Sequence, residues 1–278
     1  MCIRDRLRTS HYSNDEYLYY LCDKYGIYVM GETNLESHAL MNQGEKQVNF
    51  KNLAMDRTVT AFNRLKNRTA IVMWSTGNEN YYSSSASYAN GMFYDLIWYF
   101  KNHDSTRPIH SESSDGNNGT DMGSNMYPSV DTLYSRAAAN MPYVLCEYDH
   151  AMGNAVGNLK EYWDAIRSSD NMLGGFIWDW ADQSLATTRE DGKTFWAYGG
   201  DWMDASSNAD AFCANGVLFA DHTPSAKAVQ MRYDHQQVNF YLENEDAKVT
   251  DGTIKVKVVN ELENSTLENY NIIWSLKK

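Results

Sequence analysis

Two glutamates stand where an apolar run meets a cluster of polar groups. Glu147 closes the run Tyr143-Val144-Leu145-Cys146 in PYVLCEYDHAMGN, with Asp149 and His150 directly behind it. Glu79 lies in WSTGNEN, just past a second apolar run and beside Asn78. A carboxylate carried to the edge of apolar surroundings is costly unless it is paired, hydrogen-bonded or used. Two carboxylates presented at strand ends are what glycoside hydrolysis requires: one acid protonates the leaving oxygen and the other attacks the anomeric carbon. Either glutamate alone reads more simply as a solvated or salt-bridged acid. The two together, with an asparagine and an imidazole alongside, favour the hydrolytic pair.

The other polar groups are less specific. LESH sets Glu36 and His38 two residues apart, a spacing that by itself indicates a loop pair more often than a metal site. Phe176, Trp178 and Trp180 alternate along one run, so Trp178 either joins the core or offers a flat face to a ligand. His11, near a strand end, is by type more often structural, and His150 could pair with Asp149 or Glu147. The 20 Tyr and 8 Trp lean toward a carbohydrate partner. A net charge of -12 with no Lys/Arg stripe argues against nucleic acid. Cys2, Cys22, Cys146 and Cys213 form no C-x-x-C pair, which points to reduced, mostly buried thiols. No apolar run is long enough to span a bilayer, and MCIRDR lacks the apolar core of a secretion signal.

The elements that must position these residues alternate. DEYLYYLCDKY reads as a helix capped by Asn14 and stopped by Gly26. IYVMGE is a strand ending on Glu32. FKNLAMDRTVTAFNRLKN carries Leu53, Ala54, Val59, Phe62 and Leu65 at helical spacing. AIVMWS, RPIHSES, GSNMY, YVLCEY and LGGFIWDW are further strands, and ASYANGMFYDLIWYFKN, NLKEYWDAIRSS and PSAKAVQMRYDHQ further helices. Residues 181–224 read mostly as loop, which at that length is usually functional. Strands alternating with helices predict a parallel sheet with helical crossovers. Glu32, Glu79, Glu112, Tyr127, Glu147 and Asp179 all fall at or just beyond strand ends, the pattern of a (β/α)8 barrel. A doubly wound sheet would gather chemistry similarly at a switch point, but no G-x-G-x-x-G follows a strand. Beyond about Gln236 the texture changes to VNFYLEN, TIKVKVVNE and NYNIIWSLK, three alternating strands without helices, as at the start of a β-sandwich.

In order along the chain, SHYSND, LCDKYGIYVMGETNLESH, WSTGNEN, NMYPSVD, LCEYDHAMGN, GGFIWDWADQS, YGGDW and FCANGVLFADHTP resemble the barrel of the bacterial β-galactosidases of glycoside hydrolase family 2. The resemblance runs from about Leu7 to the end, and ESH and EYDHAMGN set it apart from the related β-glucuronidases. It implies that Glu147 is the nucleophile and Glu79 the acid/base of a retaining reaction on terminal β-D-galactosides such as lactose. That chemistry needs carboxyl groups about 5–5.5 Å apart. It implies Glu36, His38 and Glu79 as Mg2+ ligands, and the Phe212 carbonyl and Asn215 as part of a Na+ or K+ site. His11, Asn78, Tyr127, His150 and Trp178 become sugar-site residues, with Tyr127 a donor to the nucleophile and Trp178 a face beneath the galactose ring.

The departures from the family pattern are also informative. Gly31 stands where the family usually has Asp, so an acid partner is lost beside Glu32. The family's upstream β-domains and first barrel strand have no counterpart. The expected organisation is therefore an α/β chain: an unmatched 1–6, an incomplete TIM barrel over 7–235 with about six and a half of eight strands, and a truncated β-sandwich over 236–278. Read as an internal fragment, the isolated chain is expected to be inactive or nearly so. Its parent is expected to be a cytoplasmic homo-oligomer that binds neither nucleic acid nor membrane. The competing readings are a non-catalytic carbohydrate-binding remnant and a family 2 enzyme for another β-glycoside, a glucuronide or mannoside.

Overall fold

In the computed structural model, residues 2–3, 5–38, 44–79, 87–112, 114–202, 212–243, 253–262 and 265–275 are described. A two-residue strand β1 (Cys2–Ile3) pairs antiparallel with β2 (Arg6–Arg8). From β2 onward the ladder is parallel and in chain order, through β3 (Tyr28–Glu32), β4 (Ile71–Ser75) and β5 (Ile109–His110). A second parallel ladder joins β6 (Gly123–Met126), β7 (Tyr143–Tyr148) and β8 (Met172–Ile177). The two ladders are stitched between β5 and β6 by Asp121 N–H to Ile109 O at 3.0 Å and by Ile109 N–H to Asp121 Oδ2 at 2.7 Å. Across the other seam, Arg6 Nη1 on β2 donates to Leu173 O on β8 at 2.9 Å. The result is the parallel-strand, helical-crossover plan of a TIM barrel with seven parallel strands among the described residues, as the alternation predicts.

The helices are α1 (Glu16–Tyr25), α2 (Gly44–Leu65), α3 (Ser87–His103), α4 (Val130–Ala137) and α5 (Leu159–Arg167), then a single turn α6 (Gly199–Trp202), and α7 (Ala226–Asp234). Gly26 stops α1 in a left-handed conformation, but the cap is Asp15, whose side chain accepts from Tyr17 N–H at 2.8 Å; Asn14 instead donates to Tyr12 O. The apolar stripe of α2 buries Ala54, Phe62 and Leu65 but leaves Leu53 largely in solvent. The outer core packs helices on strands: Tyr19, Phe62, Leu65, Ile97 and Phe100 meet Val29, Ile71 and Trp74 in one cluster. Leu133, Ile166 and Met231 meet Tyr143, Leu145, Tyr148 and Ile177 in another. Met30, Met122, Val144 and Phe176 form a smaller cluster against Met73, Leu173 and Trp178. All six residues of β7 are buried, which is why its sequence is a continuous apolar run rather than an alternating one. Cys22, Cys146 and Cys213 are free thiols, the first two buried.

Three stretches differ from the expectation. α4, too short and polar to stand out by periodicity, follows β6 with Ser129 as its cap. The stretch read as loop carries an antiparallel hairpin, β9 (Leu185–Thr188) with β10 (Thr194–Ala197), as well as α6. Of the three expected C-terminal strands, two form, β11 (Val238–Leu242) paired antiparallel with β12 (Val256–Asn260). The third, in NYNIIWSLK, forms no strand among its described residues, and Ile273 and Trp274 are exposed. A strand exists only through ladder bonds to a neighbour, and no ladder forms there.

The loops after β3 and β4 are zipped to each other. Asn78 N–H donates to Leu35 O at 2.8 Å and Ser37 N–H to Asn78 O at 3.2 Å. This close approach requires Gly77, whose φ is 126° and where a Cβ would lie 2.4 Å from Leu35 O. Gly77→Ala is therefore expected to cost about 1–3 kcal/mol, the scale of one badly strained residue, read as a lowered melting temperature.

Candidate active site

The C-terminal ends of the parallel strands converge on one buried cation. Arg8, the last residue of β2, is 1% exposed, and each of its five N–H groups meets an acceptor. Nε and Nη2 donate to Glu32 Oε2 and Oε1 at 2.8 and 3.1 Å. Nη2 also donates to Asn78 Oδ1 at 2.7 Å. Nη1 donates to Cys146 O and to Glu147 Oε1, both at 2.9 Å. Burial works against the guanidinium's charge, but Glu32 and Glu147 outweigh it and hold its pKa above the ordinary value. Burial also pushes Glu32 up; Arg8 and His11 overcome this and bring it down to about 2.

Glu147 is 4% exposed near the end of β7. The pairing of β7 slips against β6 between Asn125 and Met126, and against β8 between Leu145 and Tyr148. Such bulges re-aim side chains at a barrel rim. Glu147 Oε1 takes Arg8, and Oε2 accepts from the Tyr127 hydroxyl at 2.8 Å. Tyr127 just follows β6, with φ 48°, and its N–H donates to Glu147 O at 2.9 Å. Burial and the negative charge of Glu147 push the Tyr127 phenol up, so it remains a donor. Losing a hydrogen bond to a charged group costs about 1.5–3 kcal/mol. Tyr127→Phe is accordingly expected to cost about that much stability with the fold intact, measured as a lowered melting temperature alongside a circular dichroism spectrum.

His11 Nδ1 is 2.8 Å from Glu32 Oε1, while its Nε2 lies 3.7 Å from Glu36 Oε2 and 3.8 Å from Glu147 Oε1. Its ring stacks on Trp178, centroids 5.3 Å apart and planes 12° apart. Trp178 follows β8 and is half-buried, packed against the small cluster of Met30, Met122, Val144 and Phe176. Asn78 Nδ2 donates to Glu36 Oε2 at 2.7 Å, and His38 N–H donates to Glu36 Oε1 at 2.7 Å. The His38 imidazole touches the Glu79 carboxylate, and Ser37 Oγ donates to Glu79 O at 3.2 Å. The zipped loops thus bring Glu36, His38, Asn78 and Glu79 together beside His11.

His150 sits 5.9 Å from the Tyr127 ring and 6.2 Å from that of Phe212; burial lowers its pKa. Asn215 is held through its backbone, Asp179 N–H donating to Asn215 O at 3.0 Å. These contacts join His11, Asn78, Tyr127, Glu147 and Trp178 to one another and to Glu36, with His38 and Glu79 attached through the zipped loops; among the described residues, Phe212 meets this group only at the His150 ring, and Asn215 is tied only to Asp179. Arg8, the hub, is not among the residues the sequence points to, and Glu32 stands out there only as a strand end and as the acid beside Gly31. The signal was indirect: two buried acids, Glu32 and Glu147, demand a buried cation.

The residues proposed for metals fit unequally. Glu36 and Glu79 are hard oxygen donors drawn together around His38, the right kind for Mg2+. Among the described residues, however, no three carboxylate, imidazole or thiol groups converge as a formed metal site. For a monovalent cation the observation is an orphaned acceptor: Asn215 Oδ1 is buried without a hydrogen-bond partner, as is Asp179 Oδ1. Burial raises Asp179 to about 6, against the lowering effect of Gln183.

The family described as "Glycosyl hydrolases family 2, TIM barrel domain" matches residues 5–240. A "Beta-galactosidase" of Priestia megaterium is 37% identical over 98% of this chain and 26% of its own length. A "Beta-galactosidase" of Photobacterium profundum is 36% identical over 97% of this chain and 27% of its own length. The chain spans about a quarter of the length of these curated relatives. A solved b-glucuronidase from Ruminococcus gnavus in complex with D-glucuronic acid superposes with a TM-score of 0.59 at 17% identity, over 84% of this chain and 43% of that one. At that identity the likeness speaks to the fold alone.

Proposed function

The chain belongs to glycosyl hydrolase family 2 through its TIM barrel domain, and from that premise we propose that the protein carrying it hydrolyses terminal β-D-galactosides with retention of configuration. The observation that carries this reading is Glu147: a carboxylate at a strand end, buried, with one oxygen on Arg8 and the other on Tyr127. In the first step a Glu147 oxygen bonds to the anomeric carbon while the glycosidic C–O bond breaks. Glu79 gives its proton to the departing oxygen. In the second step Glu79 takes a proton from water, whose oxygen displaces Glu147 and frees the sugar. Arg8 and Tyr127 donate to the carboxylate before attack and again as it leaves.

Trp178 is assigned the apolar face of the sugar, with His11, Asn78, Tyr127 and His150 around its hydroxyls. Glu36, His38 and Glu79 would hold Mg2+, and the Phe212 carbonyl and Asn215 would hold Na+ or K+. A divalent ion there supplies positive charge beside the acid/base. The choice of galactoside over other sugars rests on the printed names of the relatives at 36–37% identity. We extend the reading to assembly and compartment, a homo-oligomer in the cytoplasm, which light scattering and cell fractionation would check. No helix among the described residues is long and apolar enough to cross a membrane.

A panel of nitrophenyl β-glycosides tests the substrate. Turnover of the galactoside above the glucuronide and mannoside is expected; preference for either of the others replaces the sugar, and galactose binding without any turnover leaves a binding remnant. Glu79→Gln is expected to lower kcat on nitrophenyl galactoside by about 10²–10⁴, the usual worth of general acid–base catalysis. The defect in the first step should shrink for a dinitrophenyl leaving group, which departs without a proton. A defect independent of the leaving group in that step would remove Glu79 from the acid role.

A further inference from the structure

Glu32 has no part in the chemistry above, yet it is 0% exposed and held on all sides. Its oxygens take Arg8 Nε, Arg8 Nη2, His11 Nδ1 and the Ser75 hydroxyl at 2.8, 3.1, 2.8 and 2.8 Å. Ser75 Oγ lies 2.9 Å from His110 Nδ1, and His110 Nε2 lies 2.9 Å from Ser124 Oγ. Burial lowers His110 to about 3, so it acts here as a neutral link. Residues of β2, β4, β5 and β6 thus fix one carboxylate on β3.

A guanidinium beside a single carboxylate favours two parallel N–H···O bonds. A nucleophile clamped that way is less basic, because positive charge lowers its pKa. Around Arg8 the donors are divided instead. Glu32 takes the Nε–Nη2 edge with both oxygens, and Glu147 is left with one N–H, from Nη1, on one oxygen. The groups facing Glu147 are Arg8 from β2, His11 from the loop after it, Tyr127 beyond β6, and Cys146 and His150 from its own segment.

We infer that Glu32 is a positioning residue: it holds Arg8 in a single-bond contact with Glu147, so that the nucleophile is paired but not clamped. The same carboxylate orients His11. With the five Arg8 donors committed, His11 Nδ1–H donates to Glu32, and Nε2 faces the space between Glu36 and Glu147. This inference rests on Glu147 being the nucleophile.

The test compares wild type with Glu32→Gln and Glu32→Asp in the full-length protein. Both variants release Arg8 toward Glu147, and Asp keeps the charge while losing the reach. A fall of roughly 10- to 100-fold in kcat with KM nearly unchanged is expected for both, the scale of a small misplacement of reacting groups. The acid limb of kcat/KM against pH should move to lower pH in both. The ¹³C-carboxyl titration of Glu147, which needs no turnover, should move the same way. A shift in Glu32→Gln alone would mean that only the field of the charge acts, and would overturn the positioning role. So would lost activity with limb and titration unmoved, or unchanged kcat. If neither variant folds, Ser75→Ala, which removes one bond to Glu32, is expected to give a weaker shift of the same sign, and no shift overturns the inference. A wild type inactive on every nitrophenyl glycoside defeats the function proposed above, while the titration still decides the geometry around Arg8.

Discussion

Glu147→Gln in the full-length protein is expected to reduce turnover of nitrophenyl β-galactoside by about 10⁴-fold or more, as for other hydrolases deprived of a nucleophile. The amide keeps the shape of the side chain and can still accept from Arg8 Nη1 or Tyr127 at one oxygen. It cannot form the covalent glycosyl-enzyme, because the lone pair that attacks belonged to a charged carboxylate. The melting temperature should change little beside that loss, since Arg8 retains Glu32 as its charge partner. Steady-state kinetics together with mass spectrometry of protein incubated with a slow fluorinated galactoside separates the outcomes. Wild type should carry the sugar adduct on the peptide containing Glu147, and the variant should carry none. An adduct elsewhere, or turnover in the variant near that of wild type, would move the nucleophile to another residue.

Arg8→Met should act on the fold itself. Removing one member of a buried, hydrogen-bonded charge group leaves its partners uncompensated, at a cost of about 3–5 kcal/mol. Here two carboxylates, Glu32 and Glu147, would lose their cation at once, and the carbonyls of Asn78 and Cys146 would lose donors. The pH dependence identifies the cause. In wild type the Glu32 carboxyl is depressed from 4.5 to about 2. Its contribution to stability is therefore fully present above about 4.5 and is lost as pH falls toward 2. Without Arg8, burial dominates and the carboxyl rises above its ordinary value. The variant should then gain stability as pH falls through that raised value, the opposite slope to wild type. Denaturant melts at several pH values check this, and parallel slopes in the two proteins would show that Arg8 is not what holds Glu32 down.

The legible part of the fold was the part written in local pattern. Apolar runs of five or six residues gave strands because both their faces are covered, and amphipathic stretches with a cap and a glycine stop gave helices. The hairpin β9–β10 and helix α4 were missed because short, exposed, polar elements bury too little to impose a period. Asn14 and Asp15 are both capable caps, and only the backbone at the start of α1 chose Asp15. The strand expected in NYNIIWSLK has the right composition but finds no ladder neighbour among the described residues, and composition alone cannot supply one.

By itself the sequence determined which groups are proposed to react and their order along the chain. Glu147, which ends a buried run, and Glu79, just past one, stood out because a carboxylate there is chemically expensive, and their proposed roles came from the family resemblance. His11, Asn78, Tyr127, His150 and Trp178 followed from motifs around them. Tertiary structure alone decided what holds those groups in place. Arg8 sits in RLRTS, where nothing nearby in the chain marks it; its acceptors come from β3, from β7 and from the loop after β4. A charge network of that kind is satisfied through space, and the energy that makes it necessary appears only when water is excluded from all its members together.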